Sequence, residues 1–536
     1  MELIIMKINN YAGDLPHKTR SLCPKCLKII PALVFEKDGK VWIEKECPDH
    51  GKFKDLYWVS SKMYKKAKKF ASRGIKLETF SVKKKNPVCP KDCGLCRIHK
   101  SHTALANLVL TNRCDLSCFY CFFYASRMGY VYEPTLEQIE EMVKILVNQK
   151  PVACNAIQLT GGEPTLREDL IDIIKMCKKY GVDHVQLNTN GIKLSNDLDL
   201  CKKIRSSGVN TLYLSFDGVT PKTNPKNHWE IPQLLENCRE ANLGVVLVPT
   251  IIKGLNDHEI GDILRFGFEN NDVVRGVNFQ PVSLVGRITN AEREKMRITI
   301  PEVIENIEKH TKGQIRADDF YPVPTVSSIT DFVEAITKKP QYLLSAHFAC
   351  GMATYVFNDN GKMIALPQFV DVEGLMEYLE EKSKEIKSGK SKFWVGLKML
   401  KDINRFIDEK KKPKGFALSK ILYNALMKHD YDALGDFHHK SLFVGMMHFQ
   451  DLYNYDIERV ERCCIHYAMT DGRIIPFCAF NVIPEWYRDK QQKSQGISFS
   501  EWEKKTGKRI KDDAYKRDIK KFENSDIYKK TYAGFI

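Results

Sequence analysis

Residues 105–121 read LANLVLTNRCDLSCFYC, an apolar run followed at once by three cysteines. These cysteines, Cys114, Cys118 and Cys121, have the spacing CxxxCxxC. Three thiolates so spaced can hold three irons of a [4Fe–4S] cluster and leave the fourth iron without a protein ligand. A zinc site or a few core cysteines would give the same spacing, so a firm prediction needs a second signal.

The second signal is the segment AIQLTGGEP at residues 156–164. Its apolar start predicts a buried strand that runs directly into Gly161, Gly162, Glu163 and Pro164. The two glycines would let the backbone approach a ligand without a Cβ in the way, and Glu163 could accept a hydrogen bond from an ammonium group. Read alone, the segment could also be an ordinary turn from a strand into a helix.

Together the two motifs resemble the signature of radical S-adenosylmethionine (SAM) enzymes, in which an aromatic residue, here Tyr120, precedes the last cysteine. The resemblance implies that the three cysteines bind the cluster, that the open iron chelates SAM, and that GGEP holds the methionine amino group. It also implies that one electron cleaves SAM to methionine and a 5′-deoxyadenosyl radical, which removes an unactivated hydrogen.

The composition indicates a globular chain of several domains. Of its 536 residues, 43% are hydrophobic and 28% are charged. The 17 cysteines, with no recognisable signal peptide before them, favour metal sites over disulfides. No apolar run is long enough to span a membrane, so we expect a cytoplasmic protein that can contact a membrane surface peripherally.

The net charge of +16 indicates a basic surface. Such a surface suits nucleic acid, anionic lipid headgroups or a negatively charged substrate. The Lys/Glu-rich surface of a thermophilic protein would give the same pattern without any partner.

Residues 1–60 predict a small metal-binding module. Two knuckles flank a hairpin-like stretch, and their candidate ligands are Cys23, Cys26, Cys47 and His50. This ligand set suits one tetrahedral ion, either Zn²⁺ or Fe. A distant cysteine could replace the histidine.

Residues 61–104 predict a basic connector that contains a second CxxxCxxC triplet, Cys89, Cys93 and Cys96. GGEP does not follow this triplet, so we expect an auxiliary iron–sulfur site, with a second zinc site as the alternative.

Residues 105–290 alternate predicted strands and helices in six βα units. This pattern predicts an α/β fold, a partial (β/α)6 barrel that is open or covered on one side because a closed barrel has eight units. Chemistry in such folds lies at the carboxyl ends of the strands. By resemblance to radical SAM barrels, three polar residues at these ends are expected to contact the ribose or carboxylate of SAM: Asn188, Ser215 and Lys253. Each could instead be a helix cap or turn residue.

Residues 291–536 predict a mainly helical insertion and an α+β domain with four more candidate ligands: Cys350, Cys463, Cys464 and Cys478. With the connector triplet these make seven thiols, which cannot fully ligate two four-iron clusters. We therefore expect an open auxiliary iron or a histidine ligand, either His99 or His466.

Over nearly its whole length the chain resembles the archaeal tetraether lipid synthase family. The shared order is CPxC–CPxHG, CPxDCGxC, TNRCDLSCFYC, LTGGEP, HFACG and HYAMTDGRIIPFCAFN. The resemblance implies an enzyme that couples the terminal methyl carbons of isoprenoid chains on anionic diether lipids. It also implies three [4Fe–4S] clusters, one mononuclear Fe or Zn, and an electron donor such as a ferredoxin.

Two other functions are compatible with the sequence. One is a radical SAM methyltransferase acting on a pterin precursor, although no cobalamin-binding domain precedes the barrel and no further cysteine stands out as a methyl carrier. The other is a non-catalytic metal-cluster protein that binds nucleic acid, which would have no use for Glu163 behind two glycines. We therefore expect SAM and a lipid, and no nucleic acid, as partners.

Overall fold

A computed structural model describes residues 15–123, 128–285, 288, 290–359, 361–414, 416–417, 437 and 440–536. Residues 1–14, on which the prediction of no signal peptide largely rests, lie outside the described part of the chain.

The strands run in chain order as β1 (His17–Leu22), β2 (Ile29–Lys37), β3 (Lys40–Cys47), β4 (Gly51–Trp58), β5 (Leu105–Thr111), β6 (Tyr130–Val131), β7 (Ala156–Gly161), β8 (His184–Thr189), β9 (Val209–Ser215), β10 (Gly244–Val248), β11 (Thr250–Ile251), β12 (Val274–Pro281), β13 (Tyr321–Pro322), β14 (Gly351–Asp359), β15 (Lys362–Ala365), β16 (Ser441–Met447), β17 (Ile465–Ala468), β18 (Ile474–Pro476) and β19 (Ile497–Ser498).

The described α-helices are Ser61–Lys68, Leu136–Val147, Leu170–Lys179, Ile192–Ser195, Leu198–Ser207, Ile231–Glu240, Ile260–Glu269, Asn290–Met296, Ile300–His310, Ser327–Thr337, Val372–Lys387, Lys392–Asp402, Ile457–Glu461, Phe477–Val482, Arg488–Gln495, Phe499–Thr506, Ile519–Glu523 and Asp526–Thr531. Among them, none has the length and apolar character needed to cross a bilayer.

The N-terminal module is a four-stranded antiparallel sheet with the order β1-β2-β3-β4. The β2–β3 hairpin turns at Asp38 and Gly39, which both have positive φ values of 53° and 70°. Two residues in succession with positive φ match the right-handed twist of a hairpin. Glycine adopts positive φ most readily, and aspartate adopts it more readily than most other residues. The alternating buried side chains of β3, Val41, Ile43 and Lys45, face the rest of the protein.

The barrel strands follow one another in sequence order, β5-β7-β8-β9-β10-β12, and each pairs with the next in parallel. Each pair is separated along the chain by a helix with one buried face, as in the helix Leu170–Lys179 between β7 and β8. Consecutive strands bring fully buried residues together, for example Leu159 beside Leu187. The predicted six-unit partial barrel is confirmed.

Both edges of the barrel sheet are extended by strands from the C-terminal region. β16 pairs in parallel with β12 at one edge, and β17 pairs in parallel with β5 at the other. β14 and β18 then continue the sheet in antiparallel pairing with β16 and β17. We expected the open side of the partial barrel to be covered by another part of the chain. The sequence pattern did not predict that C-terminal strands would extend the sheet at both edges.

Candidate active site

The cysteine loop begins where β5 ends. The Oγ1 atom of Thr111 accepts a hydrogen bond from the backbone N–H of Arg113 at 3.0 Å and so turns the chain out of the strand. Within the loop, the sulfur of Cys114 accepts from the N–H of Leu116 at 3.5 Å, and that of Cys121 accepts from Phe123 at 3.3 Å. Such bonds favour negative charge on sulfur, which a metal-bound thiolate carries.

The thiols of this loop fit a bound iron–sulfur cluster. Burial raises the pKa of Cys114 well above its usual value, with the nearby charges of Asp115 and Glu163 adding to the effect. Burial also raises the pKa of Cys118 to about 11, although the ammonium group of Lys226 acts in the opposite direction. Burial raises the pKa of the core thiol Cys177 in the same direction, so the shift alone does not mark a cluster site. The fit rests on the donor set, because three thiolates at CxxxCxxC spacing suit three irons of a cluster.

The GGEP glycines pack against the cysteine loop itself. A Cβ on Gly161 would lie 2.1 Å from the carbonyl oxygen of Thr111, and one on Gly162 would lie 2.0 Å from that of Arg113. The N–H groups of Gly162 and Glu163 donate to these same two carbonyls at 2.8 and 2.7 Å. Glycine is therefore required for the contact between the two motifs, which is a stronger reason than the approach to a ligand that the sequence suggested.

The side chain of Glu163 is buried and fully engaged. One oxygen accepts from the N–H of Thr165 at 3.1 Å, its hydroxyl at 2.6 Å and the Thr189 hydroxyl at 2.7 Å, and the other accepts from the N–H of Asn190 at 2.8 Å. Burial, with the charge of Asp115, raises the pKa of Glu163 to about 7. The carboxylate thus ties the loop after β7 to the loop after β8, and its contact with the amino group of SAM stays a prediction.

A buried charged network holds the aromatic residue of the triplet. The hydroxyl of Tyr120 donates to Asp217, and Lys226 lies 2.9 Å from that hydroxyl and 2.7 Å from the Asp217 carboxylate. Only 7% of each charged side chain is exposed. Asp217 follows shortly after the end of β9, whereas Lys226 lies in a loop with no sequence pattern that would have marked it.

The three expected SAM contacts lie in different settings. Asn188 donates to the Thr160 hydroxyl at 3.1 Å, across two neighbouring strand ends. Ser215 ends β9, and its carbonyl accepts from Asn227 at 2.7 Å. Lys253 points to the surface and pairs with Glu302 at 2.7 Å. Asn188 and Ser215 therefore lie at the barrel mouth, and Lys253 is committed to another partner; all three contacts stay predictions.

The N-terminal donors form a compact metal-binding set. The ligand atoms of Cys23, Cys26, Cys47 and His50 all lie within 4.8 Å of one another. The Cys26 and Cys47 sulfurs are 3.8 Å apart, and Nδ1 of His50 lies 3.6 Å from Cys47. A tetrahedron with metal–sulfur bonds of about 2.3 Å has edges close to these distances. The donors fit one tetrahedral ion.

Two of the four C-terminal cysteines, Cys350 and Cys478, lie beside the buried guanidinium of Arg459. Nε of Arg459 donates to the sulfur of Cys350 at 3.4 Å. Burial raises the pKa of Cys463 well above its usual value, and the charges of Cys478, Cys464 and Cys350 raise it further because the four thiols are neighbours. The grouping of these four residues around one cluster stays a prediction.

The connector triplet lies beside this group. A hydrogen bond to Cys93 and burial raise the pKa of Cys89 well above its usual value, and the N–H of Cys93 donates to the Tyr487 hydroxyl at 3.1 Å. The two histidines offered as extra ligands face each other instead, with Nε2 of His99 and Nε2 of His466 3.1 Å apart. The contact uses Nε2 of both rings, so ligation through the Nδ1 atoms stays a prediction.

Comparison with known proteins agrees with this geometry. Residues 108–267 match the radical SAM superfamily, and residues 15–59 match the HMPTM N-terminal zinc ribbon domain. The 7,8-dihydro-6-hydroxymethylpterin dimethyltransferase of Methanocaldococcus jannaschii is 47% identical over 500 residues, which cover 91% of this chain and 97% of that protein. The chain belongs to the radical SAM superfamily, in the family of this dimethyltransferase.

More distant proteins are similar to only part of this chain. The GTP 3′,8-cyclase of Aquifex aeolicus is 31% identical over 225 residues, 40% of this chain and 65% of that protein. The crystal structure of HydG, a maturase of the [FeFe]-hydrogenase, has a TM-score of 0.32 and 15% identity over 40% of this chain and 50% of that chain. The last likeness is too distant to support an argument about function.

The expected membership of the tetraether lipid synthase family is wrong. The full-length relative is named as a pterin dimethyltransferase, so the predicted lipid substrate and carbon–carbon coupling are not supported. The physical reason lies in what the motifs encode. Cysteine spacing and GGEP specify cofactor binding, and a net charge of +16 suits many anionic partners, so neither determines the substrate.

Proposed function

We propose that this protein is a radical SAM methyltransferase that modifies a pterin. The observation that carries the proposal is the 47% identity to the M. jannaschii enzyme across 91% of this chain. Because the match covers 91% of this chain, it extends well beyond the cofactor-binding motifs that radical SAM proteins of many activities share.

In this proposal the residues of the barrel mouth bind and orient the reactants. Cys114, Cys118 and Cys121 would hold the cluster, which together with SAM supplies a one-electron route to a carbon-centred radical. Tyr120, fixed by its buried charged partners, would present its ring at the edge of the cluster. Glu163 keeps two loops in register so that the methionine end of SAM meets a preformed surface.

The other cysteine groups would serve as accessory metal sites. The connector triplet and the C-terminal four suit two auxiliary [4Fe–4S] clusters, which would bring the total to three, and the ribbon would hold one Zn or Fe ion. A low-potential donor such as a ferredoxin would supply electrons. These assignments are supported by the burial and mutual proximity of the thiols.

The test is an anaerobic assay of the reconstituted protein with 7,8-dihydro-6-hydroxymethylpterin, a strong reductant, and SAM labelled in its methyl group. We expect pterin products with one and two added methyl groups, and the label shows whether SAM donates them. Iron and sulfide analysis of the same preparation gives the number of clusters.

The matched control is Cys114→Ala, in which both SAM cleavage and pterin methylation should be lost. A wild-type protein that cleaves SAM to 5′-deoxyadenosine but leaves the pterin unchanged would contradict the proposed substrate while preserving the radical SAM assignment.

A further inference from the structure

The last forty residues of the chain return to the cysteine loop. β19 pairs with β6 just after that loop, through Ile497 and Val131. The following stretch, residues 499–517, is called the C-terminal strap below. It lies almost 400 residues after the cysteine loop in the sequence, and it contains no motif that indicates a function.

The strap forms hydrogen bonds with Arg113, the residue that precedes Cys114. Asp513 accepts two hydrogen bonds from Arg113, from Nε and from Nη2, each 2.8 Å long. Only 9% of the Arg113 side chain and 16% of the Asp513 side chain are exposed. Paired, largely buried hydrogen bonds of this kind fix the guanidinium in both position and orientation.

The remaining surface of the same guanidinium is also enclosed. Glu133 lies 3.1 Å from Nη1 of Arg113, and the ring of Trp502, on the strap, stacks 4.3 Å from its Cζ atom. Trp502 is itself buried and donates to Glu133 at 3.4 Å. Arg113 is thus held by two carboxylates in its plane and an aromatic face above it.

The strap also grips the residue that follows Cys114. The N–H of Tyr515 donates to the carbonyl of Asp115 at 3.2 Å. On its other side, the Asp115 carboxylate accepts from Asn190 at 2.6 Å. Cys114 therefore lies between two residues that the strap fixes independently.

A third contact reaches the far end of the cysteine loop. Arg517 pairs with Glu230 at 2.9 Å and donates to the carbonyl of Lys226 at 2.6 Å. Lys226 is the residue whose ammonium group holds the hydroxyl of Tyr120, next to Cys121. The strap consequently supports both ends of the triplet.

From these contacts we propose that Asp513 and Arg517 are positioning residues for SAM cleavage. They hold the described part of the cysteine loop, residues 112–123, which contains no helix or strand. In the proposal this fixes a shape in which three thiolates can surround one cluster and leave the fourth iron accessible to SAM. The inference depends only on the radical SAM assignment and holds whichever molecule receives the methyl group, so it is independent of the pterin proposal.

The test compares Asp513→Asn with the matched control Asp512→Asn. Asp512 is the adjacent residue, is exposed, and pairs only locally with Arg509. For Asp513→Asn we expect the dissociation constant for SAM to rise between about 10- and 100-fold, the range typical of residues that orient metal ligands. We also expect an altered electron paramagnetic resonance spectrum of the reduced cluster with SAM, while Asp512→Asn matches the wild type.

A purely structural role would lower the melting temperature without changing the spectrum or the SAM affinity of the folded fraction, and that result would overturn the proposal. If Asp513→Asn fails to fold, the test uses Arg517→Gln, with the exposed substitution Arg509→Gln as its control. Weaker SAM binding in Arg517→Gln would support the proposal. Wild-type SAM affinity and an unchanged spectrum in Arg517→Gln would overturn it.

Discussion

At the scale of single residues, Glu163 shows how a motif residue can differ from its simplest interpretation. Its carboxylate accepts four hydrogen bonds from Thr165, Thr189 and Asn190, so it is an acceptor already committed to the protein. Because all four donors come from two neighbouring loops, the negative charge of Glu163 is what holds these loops together.

The pKa of Glu163, raised to about 7, makes this role dependent on pH. Below about pH 7 the carboxyl group is protonated and loses acceptor capacity, so its hold on the two loops weakens. Above about pH 7 the carboxylate and its bonds are restored. We expect SAM affinity to rise with pH through this range in the wild type and to lose that component in Glu163→Gln, with a dissociation constant about tenfold higher at the alkaline end. Equilibrium dialysis against labelled SAM measures both.

The amino group of SAM titrates in both proteins, so only the difference between the two pH profiles reports on Glu163. Asp172→Asn, which changes an exposed carboxylate on the helix that follows GGEP, serves as the control and should follow the wild type. Identical profiles for the wild type and Glu163→Gln would show that the charge of this residue plays no part in SAM binding.

At the scale of elements, the zinc ribbon acts as a support for the C-terminal cysteines. Thr19 and Tyr57 of the ribbon both donate to Asp456, at 2.7 and 2.9 Å, and Arg20 pairs with Glu461 at 2.6 Å. These acceptors lie on the segment that leads directly into Cys463 and Cys464. A distortion of the ribbon should therefore displace the neighbouring residues Cys463 and Cys464.

Replacing a ribbon ligand, Cys26→Ser, should remove about one metal ion per chain and lower the melting temperature by at least about 5 °C, because the binding free energy of a structural metal contributes to folding. Metal analysis and calorimetry measure the two effects. Lys28→Ala, a nearby exposed substitution outside the ligand set, should change neither. Full metal content and an unchanged melting temperature in Cys26→Ser would refute the ribbon site.

The elements differ in how far the sequence could predict them. The six barrel strands are apolar runs that alternate with amphipathic helices, and each pairs with the next in the chain, so local pattern suffices. The pairing of β17 with β5 joins Ile465 to Leu105, and no local pattern encodes so distant a partner. The contact between Arg113 and Asp513 could not be predicted from the cysteine motif either, because the two residues are 400 positions apart and no local pattern links them.

At the scale of the whole molecule, the C-terminal half closes the structure around the barrel. It adds strands to both sheet edges, carries one cysteine group, supports the ribbon and crosses the cysteine loop with its last residues. The ribbon donors Cys23, Cys26, Cys47 and His50 and the three cysteine groups predicted to hold clusters thus all lie on parts of the chain that contact one another. The motifs encode cofactor binding and not the substrate, which is why a prediction that started from them named the wrong substrate.

All of this depends on SAM binding directly to an iron held by Cys114, Cys118 and Cys121. The most direct measurement is electron–nuclear double resonance on the reduced protein, using SAM with an isotope label on its amino nitrogen. We predict a hyperfine coupling between that nitrogen and the cluster, present in the wild type and absent in Cys118→Ala. A reduced four-iron cluster with bound SAM but no such coupling would contradict the account.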